Sequence, residues 1–123
     1  MKNFLIVLAG VVLVGCGGAK KAAATASSAD YGYTESNPIK VGGVNDGPAQ
    51  ERAYLNRLTG PNGEKVTYNR SGSCCPFETK NSAWGGMLDV YVVEIEGDPV
   101  KKKLYLNMYD KGDLYAPKGF LFK

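Results

Sequence analysis

The sequence predicts a small α+β fold: a mostly antiparallel sheet of four to five strands with one helix packed on a face. Three observations carry that expectation. One stretch alone, between Asn45 and Gly63, has helix start and stop signals; a β-rich run extends from Gly86 to Asp113; and short β-prone segments stand at 39–41, 64–70 and 120–122. A two-layer arrangement lets one amphipathic helix and one apolar sheet face cover each other.

In chain order, Asn37-Pro38 starts a turn, and Ile39 to Val41 reads as a short strand that ends at Gly42-Gly43. The helix follows. Asp46 or Gly47 can cap its N-terminus, Pro48 suits the first turn, and Gly60-Pro61 stops it. Within 48–59, Glu51, Tyr54, Leu55 and Leu58 lie close to one helical face. Glu51 is uneasy there, and a slightly rotated face would take Ala53 instead. Residues 64–70 alternate Val66 and Tyr68 with polar neighbours, as a half-buried strand does, and 71–86 reads as a loop.

The run from Gly86 to Asp113 is a hairpin around Gly97-Asp98-Pro99, and the side-chain pattern selects its register. A two-residue loop places Val92 opposite Lys103 and Asp89 opposite Leu106, mixing apolar and charged residues. A three-residue loop pairs Leu88 with Met108, Val90 with Leu106, Val92 with Leu104 and Glu94 with Lys102. That register gives one continuous apolar face and is the expected one. The tail, Phe120-Leu121-Phe122, reads as a terminal strand or a core plug.

The N-terminus has a different character. MKNFLIVLAGVVLVGCGGAKK has one early positive residue, an apolar run from Phe4 to Val14, then small residues around Cys16. The run is short for a membrane span and has the order of a secretory signal. Leu13-Val14-Gly15-Cys16 resembles the lipobox of bacterial lipoproteins. The resemblance implies a signal peptide over 1–15 and acylation of Cys16 by about three chains, each buried CH₂ contributing roughly 0.8 kcal/mol of bilayer affinity. Gly17 stands where an aspartate would resemble an inner-membrane retention signal, which favours the outer membrane. No acidic patch follows the cysteine, which favours the periplasmic side. Residues 16–30, rich in Ala, Ser, Gly and Thr, read as a tether, leaving 31–123 as the single folded domain.

Over 31–123 there are twelve Lys/Arg and eleven Asp/Glu. A domain this close to neutral has no basic stripe for nucleic acid. The chain contains no histidine, which excludes Ser-His-Asp and Cys-His nucleophilic machinery and every zinc site that uses histidine. No cofactor motif is present, because Gly42-Gly43 and Gly85-Gly86 lack the Lys-Ser/Thr ending of a phosphate loop.

Cys74 and Cys75 are adjacent, and Pro76 follows. Neighbouring Cα atoms lie about 3.8 Å apart, below the roughly 4.4 Å where ordinary disulfides begin, so a bridge between them is a strained, reducible ring. On an extended segment the two thiols instead point to opposite faces, and Pro76 pushes Cys75 towards that conformation. Metal binding would need further oxygen ligands such as Glu78 or Asp89. Incidental thiols, a vicinal disulfide and thiol or metal chemistry all stay open at this point. Glu94, Glu96 and Asp98 read as strand-end charges that discourage edge pairing. Trp84, Tyr31 and Tyr33 are candidate aromatic anchors for a partner, with burial against the sheet as the alternative.

YGYTESNPIKVGG, GPAQERAYLNRLTGPNGEKVTY, GSCCPF, LDVYVV and LYLNMYDKGDLYAPKGF together resemble a family of small uncharacterised lipoproteins of Bacteroidota, and they span nearly all of the folded part. Sequences of that kind are sometimes labelled 2-dehydro-3-deoxyphosphooctonate aldolase. Such aldolases are (β/α)₈ barrels, a fold that needs roughly 200 residues or more, so the label does not suit a domain of about 93 residues.

The expected function is therefore an outer-membrane lipoprotein acting as a binding or structural accessory module of the envelope, without catalysis. It would meet the bilayer through acylated Cys16 and an envelope protein or small ligand through its loops. A thiol/disulfide redox protein or thiol-dependent enzyme built on Cys74 and Cys75 is the alternative, and a carbohydrate-related aldolase is the second.

Overall fold

The computed structural model describes residues 25–43 and 45–123. The signal segment 1–15, Cys16 and the first part of the tether lie outside the described residues. A four-stranded mixed sheet has the order β1-β5-β4-β3, from Ile39–Lys40 (β1), Val66–Phe77 (β3), Gly86–Ile95 (β4) and Lys102–Asn107 (β5). β1 runs parallel to β5, and the other neighbours are antiparallel. Leu58–Thr59 (β2) and Leu121–Phe122 (β6) form a separate antiparallel pair. One helix, Gly47–Leu55 (α1), completes a broadly α+β fold.

The helix starts as the sequence predicts. Asp46 accepts a hydrogen bond from the Ala49 amide at 3.2 Å, and Pro48 sits in the first turn. It ends earlier than residue 59, because Leu58 and Thr59 pair with Phe122 and Leu121 instead. The last residues of the chain thus provide a strand partner that competes with a third helical turn. Glu51, Tyr54 and Leu55 are buried and Ala53 is exposed, so the unrotated face is the one used. Tyr54 donates to the Tyr115 carbonyl and meets the Phe122 ring edge-on at 5.8 Å, and the Arg57 guanidinium lies over that ring at 3.9 Å. Phe120, 1% exposed, plugs the core beside this strand.

The hairpin takes the register that the apolar pattern disfavours. Asp89 pairs with Leu106, Tyr91 with Leu104, Val92 with Lys103 and Val93 with Lys102. The core-facing set of β4 is consequently Asp89, Tyr91, Val93 and Ile95 rather than Leu88, Val90, Val92 and Glu94. The correction has a physical cause. A continuous apolar face is required only where the opposing layer is apolar, and α1 brings Glu51 onto this one, where the Tyr91 hydroxyl meets it. Leu88 and Val90 remain buried on the second face, opposite Cys74 and Gly72 of β3. The connection over 96–101 is longer than a three-residue loop, and Asp98 organises it by accepting from the Val100 amide at 2.9 Å and Lys102 at 3.1 Å.

The folded part begins before Tyr31. Ala26 is buried, its amide donates to the Ala116 carbonyl at 2.9 Å, and Thr25 bridges Ala116. Thr25 and Ala26, expected in the tether, are small enough to lie against the C-terminal segment, and that contact helps offset the entropy of ordering them. Among the described residues no helix is long and apolar enough to cross a membrane.

Candidate functional site

β4 separates two groups of chemistry-bearing residues. On its core face, α1 sets Glu51 over the sheet, 0% exposed, where Oε1 accepts from the Tyr91 hydroxyl at 3.0 Å. Oε2 has no hydrogen-bond partner among the described residues. Beside it Asp89, 4% exposed, accepts from Arg70 at 2.9 Å and from the Ser73 hydroxyl at 3.1 Å, and Arg70 reaches Ser73 at 2.6 Å. Burial, then the hydrogen bond and negative charge offered by Asp89, push the Glu51 carboxyl up to about 8. Glu51 thus holds its proton to a higher pH than an exposed carboxyl does. Burial and the neighbouring Glu51 also push the Tyr91 hydroxyl up. Both carboxyls are closed to solvent while Arg70 and Ser73 stay exposed, and the set joins helix to sheet.

The other group lies where β3 leaves the sheet. Cys74 and Cys75 are joined by a disulfide between adjacent residues. Cys75 has φ +65°, so the extended conformation expected before Pro76 is not adopted; a left-handed residue with a Cβ costs roughly 1–2 kcal/mol. It is the extra residue of a bulge: Cys74 pairs with Leu88 and Pro76 with Met87. Residues 71–77, read from sequence as loop, are thus strand, interrupted here and after Arg70. The bridge occupies both sulfurs, and Asp89 is committed to Arg70 on the opposite face from Leu88, so the metal set of paired thiolates with Asp89 is not assembled. Among the described residues no group of three or more Cys, Asp or Glu is placed to hold a metal ion.

The loop 78–85 continues from this bulge and carries Trp84, 95% exposed. Its stem is closed by Phe77 opposite Gly86, with the Phe77 ring edge-on to Tyr109 at 5.7 Å. A Cβ on Gly86 would lie 2.7 Å from the Phe77 ring and 2.9 Å from Tyr109, which fixes glycine at that position. Asp110 braces the loop from across the fold. It accepts from Thr79 and, at 2.8 Å, from Asn81, while Asn107 donates to its second oxygen at 3.0 Å. The hydrogen bond from Thr79 first, then those from Asn107 and Asn81, hold the Asp110 carboxyl below its usual range against the opposing effect of burial. Within the loop, the Gly85 amide donates to the Ser82 carbonyl at 3.2 Å and the Trp84 amide to the Ser82 hydroxyl at 3.4 Å. Met87, 41% exposed, and Pro76 stand alongside the stem.

Of the three aromatic candidates, Trp84 alone presents its ring to solvent. Tyr31 is buried, packs edge-on against Tyr115 at 5.7 Å, and accepts from the Tyr115 amide at 3.2 Å. Tyr33 is half-buried and donates to the Lys118 carbonyl. Both tyrosines hold the C-terminal segment down. Sequence reading missed the Glu51, Asp89 and Arg70 cluster. Its signals were present in an acid on the apolar helix face and another inside an apolar strand. A separate open cleft of about 620 Å³, lined by Leu55, Leu58, Glu64, Val66 and Lys123 among others, lies at the far end of β3 from the cysteines. Compared with protein families, curated proteins and solved structures, the chain matches none.

Proposed function

We propose that this chain is an outer-membrane lipoprotein of the small Bacteroidota kind, anchored through acylated Cys16. Its folded domain acts as a binding or structural accessory module of the cell envelope and faces the periplasm. The observation that carries the binding part is Trp84, almost wholly exposed on a loop that Asp110 and the Phe77–Tyr109 contact brace from below. A large aromatic side chain on a braced loop offers much contact area for only two rotatable bonds, the property that makes tryptophan a frequent interface anchor. Met87 and Pro76 are exposed apolar residues on the strands that carry the same loop. The partner is an envelope protein, or a small ligand, with an apolar recess that accepts the indole.

Site-specific photocrosslinking in intact membranes tests this reading. A photoreactive residue at position 84 is expected to yield a discrete adduct that the same residue at exposed Thr67 does not. No adduct at 84, or equal adducts at both positions, overturns the reading of Trp84 as the contact. The anchor is checked separately: palmitate label and membrane retention should both be lost in Cys16→Ser.

A further inference from the structure

The bridge at Cys74–Cys75 requires the bulge. In a regular strand successive side chains point to opposite faces, so neighbouring cysteines on it cannot be joined. Here they are joined, and Cys75 departs from the strand conformation to allow it. We propose that the pair is a reversible dithiol–disulfide switch that sets the register in which β3 enters the Trp84 loop. This rests on the reading of that loop as a contact surface.

Once the bridge opens, nothing covalent holds Cys75 in the left-handed region, which a side chain disfavours, and the following proline favours an extended Cys75. Continuing the pairing of Cys74 with Leu88 without the bulge places Cys75 opposite Met87 and Pro76 opposite Gly86. Phe77 then moves one position past Gly86, off the place where it closes the stem and meets Tyr109. With period two along a strand, a one-residue slip also exchanges the faces of Cys75, Pro76 and Phe77. The site is open to a reductant, because β3 is the last strand of its sheet and both cysteines are half-exposed.

The co-reactant is a dithiol. Its thiolate attacks one cysteine sulfur, the bond between Cys74 and Cys75 breaks, and the departing thiolate takes up a proton. The second thiol of the reductant then displaces the remaining cysteine and leaves as a disulfide. The pair gains two electrons and two protons, and the reductant loses them.

The test uses the full chain, because trypsin cuts after Arg70 and Lys80 and so isolates both cysteines in one peptide, free of Cys16. Alkylation before and after dithiothreitol is expected to convert that peptide from an unmodified form, two daltons lighter than the dithiol, to a doubly alkylated one. It should do so at reductant concentrations that leave a long-loop structural disulfide of a reference protein intact. Hydrogen exchange at the Phe77, Gly86 and Met87 amides should accelerate on the order of tenfold on reduction, the factor that about 1.4 kcal/mol sets. Exchange in β4 beyond Val90 should not change.

Cys75→Gly, which tolerates the left-handed conformation, should keep the slow exchange and ignore dithiothreitol. The Cys74→Ser, Cys75→Ser double variant should exchange as the reduced chain does. A peptide that resists the dithiol, or reduction without faster exchange at the stem, overturns the proposal. Trp84→Ala leaves this redox readout intact while removing the contact, so failure of the contact reading is seen independently in the photocrosslinking.

Discussion

From Val66 to Arg70, β3 pairs with Ile95 to Tyr91 without interruption, whereas from Gly72 to Phe77 the same strand is broken by a bulge at each end of its pairing with Val90, Asp89 and Leu88. The first half is tied inward: Tyr68 lies edge-on to Tyr91 at 5.9 Å and donates to Asn56 at 2.8 Å, and Tyr91 reaches Glu51. The second half is tied to its own neighbour by a disulfide and leads to an exposed tryptophan. One strand thus supplies cohesion at one end and presentation at the other. The difference lies in what the side chains meet, since both halves use the same ladder with β4.

Substitutions can break that comparison, and the largest effect belongs to the cohesive half. Tyr91→Ala removes a buried ring and leaves both Glu51 oxygens without a donor, so a loss of about 3–5 kcal/mol is expected from urea midpoints. A loss under about 1 kcal/mol would mean that the two halves are equally peripheral.

Glu51 gives the cohesive half its own pH dependence. Its folded pKa is raised from 4.5 to about 8, so in this window the unfolded chain releases the proton that the folded chain keeps. The folded state is therefore favoured most below pH 4.5, and stability falls as pH rises towards 8, by on the order of 3–4 kcal/mol from this group. Glu51→Gln, which still accepts from Tyr91 and donates towards Asp89, should flatten the slope between pH 5 and 8. An unaltered slope would place the titrating group elsewhere.

A smaller effect is expected at the loop stem. Gly86→Ala forces a methyl group against Phe77 and Tyr109, for about 1–3 kcal/mol of overpacking, and it should also change Trp84 emission. Smallest is Trp84→Ala itself, within about 0.5 kcal/mol of wild type in thermal unfolding, because its ring packs against nothing that the fold depends on. A larger loss would make the indole structural.

Local chemistry written in contiguous residues was legible. Asp46 and Pro48 opened the helix where expected, Ile39 began a strand, and Phe120 to Phe122 split into a plug and a strand. What escaped depended on residues distant in sequence. The hairpin register differs from the one the hydrophobic pattern of β4 and β5 predicts because the layer above them brings Glu51 onto that face. The helix is shorter than its sequence signals predict because Leu121 and Phe122 pair with Leu58 and Thr59, and nothing near Leu58 announces it. Ordered structure begins before residue 31 because Ala26 owes its burial to the segment around Ala116, some ninety residues on.

By itself, then, the sequence determined the inventory: one helix, a small sheet, two adjacent cysteines, and a chain without histidine. These follow from backbone propensity, turn chemistry and composition, which act over a few residues. Tertiary structure decided which face of β4 is the core, that Glu51 keeps its proton, that Cys75 turns left-handed, and that Trp84 rather than Tyr31 or Tyr33 meets solvent. Except at Cys75, which its neighbour Cys74 holds, each of those outcomes is decided by a partner brought from far along the chain.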